Sequence, residues 1–230
     1  MRRAINLITR FTGLLNRNRK LEPAIAFPVK VNLGSGLAVA PGWINIDGSL
    51  NALVASWPRF AHRWLYRLSG AKHYYTIEDY CALLRGHQFV HHDLTYGIPL
   101  SDACVDYVYT SHFLEHLHKE GAAGLLRESF RVLKWGGVLR VCIPDLAFAV
   151  SLYQRGDKEK MLDTFFFVSE DESDLARHKY MYDFELLSDA LRKAGFARIE
   201  RAAFRSGRTP DLSTLDRHPE QTLFVEAIKE

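Results

Sequence analysis

This sequence predicts an α/β fold, an open and mostly parallel sheet with helices on both faces, and three observations predict it. From Lys30 onward, short strand-like runs alternate with helical patterns. The first run, Val29–Leu33, ends in Gly34-Ser35-Gly36, and the second, Trp43–Asp47, ends in an acid. The 230 residues, 47% hydrophobic and 25% charged, suit one such domain with insertions and an ordinary buried core.

The elements follow in order. Residues 49–86 form an aromatic and basic insertion with helical stretches near 59–68 and 77–85. Gln88–Leu94 is a third strand carrying Asp93, and Val105–Thr110 a fourth. A helix runs to about Lys134 with Ala122, Leu126, Phe130 and Leu133 on one face. The glycines of Trp135-Gly136-Gly137 suit its left-handed exit. Val138–Ile143 is a fifth strand closed by Pro144-Asp145, and helical stretches follow near 146–154 and 158–167, then an acidic loop at 170–174. Asp183 reads as the N-cap of a helix that ends at Gly195. Ala197–Phe204 and Thr222–Ile228 complete the strands.

Residues 1–28 form a basic arm and linker ahead of the domain at 29–230. Residues 1–20 carry Arg2, Arg3, Arg10, Arg17, Arg19 and Lys20 and no acid. Apolar residues at helical spacing over 4–15 suit either a helix packed on the domain or peripheral contact with an anionic membrane. The net charge of +3 is too small to require nucleic acid as a partner. Cys81, Cys104 and Cys142 form no CxxC pair and read as reduced thiols, as in a cytoplasmic protein. No run of about 18 apolar residues predicts a membrane span.

A strand ending in glycines beside a strand ending in an acid is the arrangement with which a parallel sheet binds a nucleoside. Glycines admit a close ligand, and the acid accepts ribose hydroxyls. A turn would explain Asp47-Gly48 as well. The later order adds His92-Asp93-Leu94, the run Asp106–Leu117 with Thr110-Ser111-His112-Phe-Leu-Glu115-His116, Arg131–Gly137, Leu139–Asp145, and His178–Asp183.

Read together, these residues resemble the class I S-adenosylmethionine-dependent methyltransferases, in particular a small bacterial, type 11-like group with a shortened first glycine loop. The likeness covers roughly residues 30–145 and returns in the tail. It implies a Rossmann-like sheet of seven strands with one antiparallel strand, and S-adenosylmethionine as cofactor. It also implies that Gly34, Ser35 and Gly36 pass beneath the methionine part, that Asp47 holds the ribose, and that Asp93 and Leu94 flank the adenine. Thr110, Ser111 and His112 would line the methyl-transfer cleft. A helix or turn cap is the alternative for Asp93.

Three departures from the family pattern stand out. Leu37-Ala38 replaces the third glycine, Asn32 stands where an acid is common, and only ten residues separate Gly36 from Asp47. Six residues, Leu37–Gly42, remain for a crossover that normally needs about a dozen. Extended, they span about 20 Å, enough to run back along a strand of about 17 Å. The first helix must therefore be shortened or missing. The cofactor's carboxylate then needs other partners, for which Arg59 and Arg63 are candidates.

Methyl transfer to a hydroxyl calls for a base. His112 is the first candidate, with a packing role as its alternative. Asp145 either orients the acceptor or caps a helix. His178, Tyr180 and Tyr182 suit a lid within 146–183 or packing on the sheet. No metal is expected from the histidine spacing. The acceptor expected is a small molecule or, by likeness to a group associated with polysaccharide synthesis, a saccharide. A non-catalytic cofactor-binding scaffold at the membrane is the alternative. A nicotinamide enzyme would need a fuller glycine fingerprint, and an RNA methylase a basic face.

Overall fold

A computed structural model describes residues 12–18, 20–22, 28–166 and 177–230. Most of the amphipathic pattern over 4–15 and the acidic loop at 170–174 lie outside them. Seven strands form one sheet in the order β3-β2-β1-β4-β5-β7-β6. They are β1 (Lys30–Leu33), β2 (Trp43–Asp47), β3 (Gln88–His91), β4 (Val105–Ser111), β5 (Leu133–Pro144), β6 (Arg198–Ala202) and β7 (Thr222–Ile228). All neighbours pair in parallel except at β7, which runs antiparallel to both β5 and β6. The sheet therefore has one antiparallel strand, as expected.

The two faces of the sheet are covered differently. Val31, Leu33, Ile46, Val108, Leu139, Val141 and Val225 belong to the main core, together with Leu125 and Leu126 of helix Lys119–Val132 and Leu187 and Leu191 of helix Phe184–Ala194. The strand pleat turns alternate residues to the other face. There the register aligns Asn45, Asn32, Tyr109, Arg140 and Glu226 in one row across five strands. This polar row is buried. Over Tyr109, Arg140 and Glu226 its cover is the segment 203–217, whose only helix is the short Leu212–Leu215.

An irregular cover leaves backbone groups that need partners, and the row supplies them. Arg140 donates to Ala203 O at 2.9 Å and Ser206 O at 3.2 Å, Tyr109 Oη donates to Leu215 O at 2.9 Å, and Glu226 accepts from Arg208 N at 2.7 Å and Thr209 N at 3.0 Å.

Asp183 caps its helix by accepting from Leu186 N at 2.8 Å, and Gly195 closes it with φ +114°. The expected glycine exit after Lys134 is corrected. The preceding helix stops at Val132 and passes directly into β5, and Gly136, with φ +79°, instead sits where the register with β4 shifts. The insertion at 49–86 folds into helices Leu50–Val54, Arg59–Leu68 and Ile77–Gly86, with a small core of Val54, Leu65, Ala71, Tyr80, Cys81 and Leu84.

Candidate functional site

The strand order reverses between β1 and β4, and a parallel sheet opens its binding crevice at the carboxyl ends on either side of such a reversal. Gly34–Gly36 leave β1 at this point, and Thr110-Ser111-His112 end β4.

The link Gly34–Gly42 contains no helix, yet β1 and β2 pair in parallel with Leu33 opposite Ile46. So short a link needs clamps. Gly34 N donates to Ile46 O at 2.9 Å, Ala38 N to Ser35 O at 2.8 Å, and Gly36 N to Asp47 Oδ2 at 2.8 Å. Asn32 Nδ2 donates to Ala38 O at 2.8 Å and to Asn45 Oδ1 at 3.1 Å. A carboxylate at position 32 could not donate to that carbonyl. The amide thus replaces an acid because the short loop turns a carbonyl toward the strand.

Gly34 has φ +64°, and a Cβ on it would stand 2.1 Å from the Phe113 ring, so only glycine fits. Gly36, with φ +51°, faces open space where its Cβ would be.

Asp47 is 8% exposed and also accepts from Ser49 N at 2.7 Å. A carboxylate has about four acceptor positions, so room remains for a ligand's hydroxyls. The Oγ atoms of Ser35 and Thr110 are buried without a partner beside the same loop. Open space at Gly36, spare capacity on Asp47 and two orphaned hydroxyls fit a polar nucleoside ligand.

Asp93 caps the turn Leu94–Tyr96, its Oδ1 accepting from Thr95 N at 3.0 Å and Thr95 Oγ1 at 2.7 Å. Leu94 is buried in the main core. Residues 12–16 are helical and lie over this end of β3. A Cβ on Gly13 would come within 3.0 Å of Asp93 Cβ, and Thr12 Oγ1 bonds to His91 Nε2 at 2.8 Å.

His112 has φ +49°, a left-handed conformation uncommon for residues with a side chain and held among the described residues also by Ala103, Arg205, Asp211 and His218. Its Nε2 lies 3.1 Å from Thr222 Oγ1, and its Nδ1 lies 3.4 Å from Glu115 Oε1. Glu115 is 1% exposed, and neither of its oxygens has a hydrogen-bond partner. The His218 ring stands edge-on to His112 at 5.3 Å, and burial, then the neighbouring His112 and Arg217, push its imidazole below the ordinary histidine range. Burial likewise lowers His116.

Asp145 caps helix Leu146–Gln154 by accepting from Ala147 N at 3.0 Å. Tyr182 is buried in the main core, with the Tyr180 ring against it at 4.8 Å. Arg59 and Arg63 are exposed. The bond from their insertion to the glycine loop is made by Tyr75, whose Oη donates to Leu37 O at 3.5 Å. Sequence reasoning gave neither Phe113 nor Glu115 a part in the site, because their roles depend on the turn after β4. A groove of about 650 Å³ lined by Arg17, Lys20, Glu128 and Arg131 includes none of the expected cofactor residues.

A family profile described as a methyltransferase domain matches residues 63–141, which include Asp93, Leu94, Thr110, Ser111 and His112. The fold is similar to that of a methyltransferase from Thermotoga maritima described as a possible histamine N-methyltransferase. The identity is 20% over 97% of this chain and 92% of that one, with a TM-score of 0.50. A second similar structure, a methyltransferase from Archaeoglobus fulgidus, is 16% identical over 98% and 94% of the two chains, with a TM-score of 0.50. A possible exported protein from Bordetella parapertussis is 16% identical over 99% and 67%, with a TM-score of 0.52. No curated protein sequence matches the chain. The profile match spans the ends of β3 and β4, and the fold as a whole is that of the similar S-adenosylmethionine-dependent methyltransferase structures.

Proposed function

We propose that the chain methylates a hydroxyl of a small-molecule or saccharide-type acceptor held beside His112. The observation that carries this reading is the pairing of His112, strained at φ +49°, with the buried Glu115 carboxylate 3.4 Å from its Nδ1. S-adenosylmethionine supplies a methyl group already activated on a sulfonium. With Glu115 favouring a proton on Nδ1, Nε2 keeps the lone pair that now faces the Thr222 hydroxyl. An acceptor hydroxyl taking the place of Thr222 would pass its proton to Nε2 as its oxygen bonds the methyl carbon. Held along Gly34, Ser35 and Gly36, the donor would supply the methyl by breaking its S–CH₃ bond, with the electron pair staying on sulfur.

In this reading Gly34, Ser35, Gly36, Asp47, Asp93, Leu94, Thr110 and Ser111 bind the cofactor, while Asp145 orients the acceptor through its free oxygen. A labelled-methyl screen over nucleotide sugars, lipid-linked glycans and small hydroxy compounds tests it. His112→Ala is expected to lower kcat by about 10²- to 10⁴-fold with S-adenosylhomocysteine affinity unchanged. An unchanged kcat would make His112 a packing residue. Transfer to no acceptor, with intact cofactor binding, would favour the non-catalytic scaffold, which the shortened loop also suits.

The same proposal includes peripheral contact with an anionic membrane, through residues 1–20 and the helix Arg59–Leu68. On that helix Phe60 and Trp64 are 74% and 65% exposed. Arg59, Arg63 and Arg67 run beside them, and no acid lies between Gly48 and Ile77. An apolar stripe bordered by arginines suits a lipid interface. No helix among the described residues is long and apolar enough to cross a membrane. Flotation with phosphatidylglycerol vesicles is expected, and the double variant F60S/W64S is expected to lose most of it. Equal flotation of both proteins would remove this helix from the proposal.

A further inference from the structure

The geometry points to a divalent transition-metal site formed by Glu115, His116 and His178. Glu115 and His116 lie in the turn Leu114–His116 directly after β4. His178 lies far away in sequence, but its segment is stitched to that turn. Lys179 N donates to Glu115 O at 2.7 Å, Tyr180 N to Glu115 O at 3.3 Å, and Lys179 Nζ to His116 O at 2.7 Å. One ligand atom from each of the three side chains lies within 4.8 Å of the other two. The rings of His116 and His178 are 5.1 Å apart.

Two further observations point to a cation. The Glu115 side chain is buried with both oxygens lacking a hydrogen-bond partner, and a buried carboxylate in that condition is costly. Both imidazoles are also oriented as ligands usually are. His116 Nδ1 lies 3.2 Å from Arg177 O, and His178 Nδ1 lies 2.7 Å from Phe165 O. A carbonyl only accepts, so each Nδ1 carries the hydrogen and each Nε2 keeps its lone pair.

Two imidazoles with one carboxylate suit Zn²⁺, Mn²⁺ or Co²⁺ better than Mg²⁺, and three protein ligands leave positions open. Tetrahedral zinc, about 2.1 Å from each ligand, holds them about 3.4 Å apart, so atoms now within 4.8 Å of one another close by at most about 1.4 Å. His112 adjoins the site through Glu115. The open positions would therefore take oxygens of an acceptor, a role that rests on the proposed reaction, whereas metal binding itself does not.

The test uses the full chain, stripped with a chelator and dialysed. Titration with Co²⁺, followed by its visible ligand-field absorption, is expected to saturate at one equivalent and to be displaced by Zn²⁺. His178→Ala and Glu115→Gln should each weaken binding by at least about 10-fold, while His73→Ala, at an exposed position, changes nothing. Thermal melting and S-adenosylhomocysteine affinity establish that each variant is folded. Absence of stoichiometric binding, or equal affinity in wild type and the folded His178→Ala variant, would overturn the site. Neither outcome depends on finding an acceptor, so the methyltransferase proposal stands or falls separately.

Discussion

Asp47→Ala is expected to reduce S-adenosylhomocysteine affinity by at least about 100-fold, measured by calorimetry. The carboxylate holds Gly36 N at 2.8 Å and Ser49 N at 2.7 Å. Hydrogen bonds to a charged group contribute about 1.5–3 kcal/mol each, and 1.4 kcal/mol is a factor of about ten in affinity. Removing the side chain frees the glycine loop at its apex and, in the proposed assignment, also removes the acceptor for the ribose hydroxyls. Asp47→Asn keeps one oxygen and should fall between the two. Unaltered affinity in a folded Asp47→Ala protein would show that the nucleoside is held elsewhere.

The largest stability loss is expected for Arg140→Leu. Arg140 is fully buried, its Nη2 2.6 Å from Asp216 Oδ2 and its Nη1 3.2 Å from Glu226 Oε1. Removing one partner of a buried ion pair costs about 3–5 kcal/mol, because the remaining charge has no compensation. Here two carboxylates would be stranded. For a chain of this size 1 kcal/mol moves Tm by about 2–4 °C, so scanning calorimetry should find a drop of about 6–20 °C. Buried ion clusters can often be replaced wholesale by apolar residues, but not here. Asp216 also accepts from Arg205 N at 2.7 Å, and Glu226 from Arg208 N and Thr209 N, so an apolar triple variant would orphan three backbone amides. It should be no more stable than Arg140→Leu. Recovery in the triple variant would refute this account.

Much of the fold was legible because its signals are local. Alternating strand and helix periods, the cap at Asp183 and the glycine at 195 each act within a few residues. Counting from Gly36 to Asp47 was enough to remove the first helix, since a parallel crossover has a minimum length. The exit after Lys134 was misread, because β5 pairs with β4 early enough to end the helix at Val132 and put Gly136 to use in the register shift.

From the sequence alone came the mostly parallel sheet and the link after its first strand that is too short for the usual helix. Long-range pairings, by contrast, come from how the chain packs. Asn32 is an amide because the loop turns Ala38 O toward it. Arg140, Asp216 and Glu226 are buried because an irregular segment, rather than a long helix, covers that face and its backbone groups need partners. Glu115 and His116 meet His178 because backbone bonds from Lys179 and Tyr180 fold one segment onto another. Hydrophobic periodicity records which residues avoid water. It does not record which buried polar groups will find each other, since their partners are set by chain packing across many tens of residues.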